Sequence, residues 1–128
     1  MRSAHVFSAV EPSLIRERLD SIGRRAGNEW VIGDCLWVHI DNPPNWLDGF
    51  ASERDGIERE LGDDVTVVAA DVSSTIDGTA EARAFALVIL GLGPGLAFDD
   101  HGDRGWTAAE LTNDECVVGR MFFSEADR

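Results

Sequence analysis

The sequence has no lysine and no tyrosine, and all 11 of its basic residues are arginines set against 24 acidic ones. That shortage of positive charge excludes two partner classes. A pI near 4.4 does not suit nucleic acid, where affinity rests on neutralising phosphates with Lys and Arg. Nor does it suit an anionic membrane surface. Long apolar runs are also missing. Val6–Val10 is ended by Glu11, too short for a signal-peptide core. The longest uncharged stretch, Ala84–Phe98, is broken by Gly91, Gly93, Pro94 and Gly95 and falls below the ~20 apolar residues of a membrane helix. Two cysteines, Cys35 and Cys116, without an export signal are expected as reduced, buried thiols in a cytoplasmic protein.

What is present is enough for one core. The 128 residues are 44% apolar and 27% charged, the balance of a folded single domain spanning residues 1–128. The net charge of -13 is unevenly placed: residues 26–82 hold 13 acids against Arg54 and Arg59, whereas residues 1–25 are +2. Concentrated like charge costs compact-state stability and provides long-range attraction for a cationic partner.

His5–Ala9 can form a first strand. Pro12 then suits the first position of a helix, and Ile15, Leu19, Ile22 and Ala26 recur at helical spacing. Arg24 and Arg25 fit the last turn and Gly27 the stop. Glu29–Asp41 reads as one long strand. Trp30, Ile32, Leu36, Val38 and Ile40 lie on one side of it, and Val31, Gly33, Cys35, Trp37 and His39 on the other. A polar helix at 51–61 is expected after Asn42-Pro43-Pro44-Asn45, with Phe50, Ile57 and Leu61 on its inner side and Gly62 closing it. Val65–Ser74 has the two-sided apolarity of an interior strand. Asp77 or Thr79 can cap an apolar helix at 79–91. A strand at Leu96–Asp99, a short helix from Thr107 and a last strand at Cys116–Phe123 complete the chain. This order predicts an α+β sandwich, ferredoxin-like β-α-β-β-α-β, with an inserted acidic helix and a C-terminal α-β extension. A mixed α/β sheet of another order is the alternative.

No motif of high catalytic specificity is present. Asp99-Asp100-His101-Gly102-Asp103 is the densest group of potential metal ligands. As a calcium loop it puts His101 at position three and Arg104 where glycine is required. Thr107-Ala108-Ala109-Glu110 reads as a capping box, which occupies Glu110. Cys35 and His39, four strand residues apart, would stand roughly 13 Å from one another, too far to share one ion. Gly91-Leu92-Gly93-Pro94-Gly95 follows a helix and lacks the Lys-Ser/Thr ending of a phosphate loop. The three histidines fall in three elements, so no serine or cysteine acquires an oriented base. The reading is therefore of no catalytic residue, no cofactor and no metal.

Trp46 and Phe50 lie amid Asp48, Glu53, Asp55, Glu58, Asp63 and Asp64. Aromatic anchors ringed by charge are the composition of a protein-binding hot spot. Alternatively, the aromatics pin the acidic helix to the core. A secondary candidate surface is Asp99, Asp100, His101, Asp103 and Trp106.

The stretch LAFDDHGDRGWTAAEL, preceded by VVAADVSS and a buried helix, resembles small SitI-type immunity proteins of bacterial polymorphic-toxin systems. The resemblance rests on Asp99 and Asp100 ending a short strand, a polar loop, then Trp106-Thr107 and Glu110, and it covers residues 62–111. It implies a non-enzymatic protein that binds and blocks a toxin, and it transfers no toxin-contact residues. An acidic protein of this kind suits a basic cleft, which it would enter by steered association. The competing expectations are a metal-assisted hydrolase or isomerase using Asp99, Asp100 and His101, and a regulatory or assembly subunit, including a homodimer through an open sheet edge.

Overall fold

The computed structural model describes residues 2–33, 35–41, 54–62, 65–72, 79–98 and 106–112. Within them lie six strands: β1 (Arg2–Ser8), β2 (Arg24–Ala26), β3 (Glu29–Ile32), β4 (Leu36–Asp41), β5 (Thr66–Val72) and β6 (Gly95–Phe98). Four helices accompany them: α1 (Pro12–Ile22), α2 (Arg54–Leu61), α3 (Thr79–Leu90) and α4 (Ala108–Thr112). The strands form one sheet in the order β2-β3-β4-β5-β1-β6, antiparallel at every pairing. The architecture is α+β. Its strand order is not the simple four-strand ferredoxin pattern, because a hairpin stands where a helix end and one long strand were expected.

The first departure is at the end of α1. Pro12 opens the helix and Ile15 and Leu19 are buried as the spacing predicts. The helix stops at Gly23, whose N–H donates to the Leu19 carbonyl at 2.9 Å while its backbone is already extended. Arg24–Ala26 then runs as β2, and Gly27, at φ +65, turns the chain into β3. Tertiary contacts override helical spacing here. Arg25 pairs across from Trp30 and its guanidinium lies 4.8 Å from the indole centroid, a cation–π contact. Ala26, counted as apolar periodicity, is exposed.

The second departure is at Gly33, at φ +60. The Cys35 N–H donates to the Ile32 carbonyl at 3.3 Å, so the expected long strand is two strands. The register Trp30↔Val38 and Ile32↔Leu36 nonetheless keeps these four residues on one face, as alternation requires. Cys35, assigned by alternation to the opposite face, is instead buried with the residues of this one. Its thiol lies 3.8 Å from the Ile32 carbonyl.

Both sheet faces are used. On one, Ala4, Val6, Val68, Ala70 and Val38 pack beneath Ile15 and Leu19 of α1 and Phe85, Ala86 and Ile89 of α3. On the other, Phe7, Val67 and Phe98 receive Ile57 of α2, with the Phe7 and Phe98 rings edge-to-face at 5.4 Å. The acidic helix is thus held to the face away from α1 and α3. Gly62, at φ +86, follows it and donates to the Glu58 carbonyl, a C-terminal glycine stop.

At the β6 edge, Trp106 and Ala97 exchange backbone hydrogen bonds of 2.9 and 2.7 Å. The capping box is formed: the Glu110 N–H donates to Thr107 Oγ1 at 3.2 Å and the Thr107 N–H to Glu110 Oε1 at 2.9 Å. Arg83 of α3 donates Nε and Nη2 to the Leu111 carbonyl at 2.9 and 2.7 Å, satisfying an acceptor that a helix end leaves open. Among the described residues no helix is long and apolar enough to cross a membrane. The expected strand at Cys116–Phe123, the Asp77 cap and Phe50 lie outside the described residues.

Candidate partner-binding face

Strand alternation decides which side chains share the face that carries α2. Its three cross-strand rows are set by the register. One row is Leu96, Phe7, Val67 and position 41, and its first three members pack with Ile57 of α2. The next row is Phe98, His5, Ala69 and His39. The third is Ser3, Asp71, Trp37, Val31 and Arg24. The face therefore grades from an apolar floor covered by α2 to a polar row.

Trp37 sits in the middle of that polar row and is 39% exposed. Asp71 is its direct cross-strand neighbour, a pairing that places the two Cβ atoms about 5 Å apart. On the far side of Asp71, the Ser3 hydroxyl donates to Asp71 Oδ1 at 2.7 Å. Val31, on the other side of Trp37, is buried. The result is an exposed indole beside an oriented carboxylate.

In the histidine row, Ala69 separates His5 from His39, so the two backbones lie two strand spacings, ~10 Å, apart. The His39 Nδ1 atom is buried with no hydrogen-bond partner among the described residues. Cys35 and His39 lie on opposite sides of the sheet, so the pairing considered from sequence does not form. Among the described residues no group of three or more His, Cys, Asp or Glu side chains is placed to hold a metal ion.

Helix α2 contributes charge. Ile57 is buried and Leu61 half-buried, while Asp55, Arg59 and Glu60 are exposed and Glu58 is half-buried. Of the residues named from sequence as the partner surface, Asp55 and Glu58 are therefore on a folded element. Trp46, Asp48, Phe50, Glu53, Asp63 and Asp64 lie outside the described residues, as do Asp99, Asp100, His101 and Asp103 of the secondary surface. Trp106 is a correction: at 1% exposure it is a core residue and offers nothing to a partner. It belongs to the same core cluster as Leu111 and Phe85, Ala86 and Ile89 of α3, and its backbone is bridged to Ala97.

Sequence reasoning passed over Trp37. Alternation does place it opposite Trp30, with Val31, Gly33, Cys35 and His39, but nothing in the sequence says how much of that side is covered. The structure also has a groove of about 320 Å³ beside α1, lined by Leu14, Glu17, Arg18, Ser21 and Leu92, whose rim carries both signs of charge. No family model, curated protein or solved structure matches this chain.

Proposed function

We propose that this chain is a non-enzymatic acidic binding protein whose partner is a basic protein domain, and that it serves as an immunity protein neutralising a toxin. The observation that carries this reading is the charge segregation: 13 acids against two arginines over residues 26–82. Within that stretch α2 is pinned by Ile57 with Asp55 and Glu60 turned to solvent. Such a layout steers association with a basic cleft.

Self-association through a sheet edge is less well supported. Two-fold pairing of β2 would set Arg24 and Arg25 against their own copies, a charge pattern that blunts edges. At the other side β6 is bridged by Trp106. Of the residues carrying the family resemblance, Trp106, Thr107 and Glu110 serve packing and capping, which leaves partner contact to other positions. We read the scaffold as a ferredoxin-like core, β4-β5-β1-β6 with α1 and α3, extended by the β2–β3 hairpin. Two interleaved β-α-β units support this: β1 and β4 run parallel around β5, and β5 and β6 run parallel around β1.

The test is co-expression with the protein encoded by the adjacent gene. Relief of growth arrest, with a purified complex whose affinity falls as salt rises, is the expected result. A neighbour that is harmless, or that stays toxic and forms no complex, overturns the immunity reading.

A further inference from the structure

We infer that Trp37 and Asp71 form a subsite for an arginine side chain of the partner, an inference that rests on the basic-partner reading above. The chemistry is already assembled once within the chain. At the β2–β3 hairpin Arg25 lies over the Trp30 ring at 4.8 Å, and both the guanidinium and the indole N–H face Asp20 Oδ1, at 3.6 and 2.8 Å. Indole, carboxylate and guanidinium make a closed set there.

On the α2 face an indole and a carboxylate are again neighbours, and among the described residues the cation of their row, Arg24, is set two strands from Trp37. Trp37 and Asp71 are cross-strand neighbours, and the Trp37 ring is the most exposed aromatic among the described residues. The Ser3 hydroxyl donates to Asp71 Oδ1, which orients the carboxylate, and an ionised carboxylate has capacity to accept further hydrogen bonds. A guanidinium laid on the indole places its N–H fork toward that carboxylate. Arginine meets both demands at once, being planar, weakly hydrated and able to stack while hydrogen-bonding in its plane. A lysine ammonium is a compact hydrated point charge and meets only one. The exposed acids of α2, on the same side of the sheet, supply the field that draws such a side chain in.

The probes are capped hexaarginine and hexalysine amides, titrated at low salt into the ¹⁵N-labelled full chain. The Trp37 indole N–H is assigned from Trp37→Phe. Hexaarginine is expected to shift the Trp37 and Asp71 resonances and to bind roughly twofold to fivefold more tightly than hexalysine, the range of an exposed cation–π contact. That preference is expected to disappear in Trp37→Ala and in Asp71→Asn and to survive in Trp37→Phe. Both side chains lie on a partly open face, so amide spectra of the variants should otherwise match the parent. Equal, salt-sensitive binding of both peptides overturns the subsite and leaves the basic-partner reading standing. Failure of both peptides to bind at low salt overturns the subsite and the basic-partner reading together. Trp37 shifts that track protein concentration without peptide overturn the inference in favour of a second copy as occupant.

Discussion

The Trp30 indole N–H donates a 2.8 Å hydrogen bond to Asp20 Oδ1, ten residues earlier in the chain. This contact ties the last turn of α1 to the β2–β3 hairpin. The adjacent Arg25–Asp20 ion pair is 3.6 Å long and about half exposed on each side, so it adds little. The indole bond counts for more, because Trp30 is 2% exposed and its N–H has no ready access to water. Asp20→Ala is expected to cost about 1–2 kcal/mol, the penalty of stranding a buried donor. Asp20→Asn keeps an acceptor and should cost less than half of that. Urea denaturation of both variants checks the ranking, and equal losses would assign the effect to the ion pair.

Trp106 and Thr107 act on the same short segment by different means. Trp106→Ala removes a fully buried indole from the principal core and is expected to cost about 3–5 kcal/mol. Thr107→Ala removes one capping bond and should cost about 1 kcal/mol. Equilibrium denaturation separates the two. Parent stability in Trp106→Ala would mean that the indole contributes no packing.

Gly95 is held by a close approach of backbones. A Cβ there would lie 2.8 Å from the Phe7 carbonyl oxygen and 2.9 Å from Leu90 Cδ2, and the carbonyl belongs to the paired strand β1 and cannot give way. Gly95→Ala is expected to destabilise by about 1–3 kcal/mol, the range for forced overpacking. Gly27 makes the contrast. It needs only its φ of +65, and a Cβ at this position would meet nothing within 4 Å. Gly27→Asn is therefore expected to stay within about 1 kcal/mol of the parent, since Asn visits that region. Thermal unfolding of the pair distinguishes steric from conformational demand.

The elements readable from sequence were those whose local pattern and tertiary setting agree. Pro12, Ile15 and Leu19 opened and oriented α1. Thr66–Val72 is central, and its apolarity on both sides reflects helices on both faces. The Thr107–Glu110 box formed because all of its partners lie within four residues. Where the reading failed, the deciding contact was distant in sequence or energetically ambiguous. Ala26 continued a helical stripe, yet the Arg25–Trp30 stack and the Asp20–Trp30 bond favour a hairpin there. Gly33 looked like an ordinary strand position until its positive φ broke the strand. Arg83, a lone cation in an apolar helix, found its role 28 residues away at the Leu111 carbonyl, which no local pattern encodes. Trp37 was placed on the correct side by alternation. Its exposure depends on how far α2 extends over that face, a tertiary quantity.

The charge of α2 gives the last prediction. Asp55 and Glu60 are exposed while Ile57 and Leu61 anchor the helix, so reversing both acids changes the field without touching the core. Asp55→Arg places a cation in the first helical turn and loses about 0.3–1 kcal/mol against the helix dipole. Glu60→Arg, in the last turn, gains a similar amount, so the double variant should fold with nearly parental stability. Peripheral charges act mainly on encounter, and their reach is ~8 Å at physiological salt. With the adjacent-gene protein as partner, the double variant is expected to associate several-fold more slowly at low salt and to show a flatter salt dependence. Its dissociation rate should change little, because anchoring side chains set the complex lifetime. Stopped-flow kinetics across a salt series measures both rates. Parental association rates throughout would remove α2 from the steering surface and shift attention to the β-sheet face around Trp37.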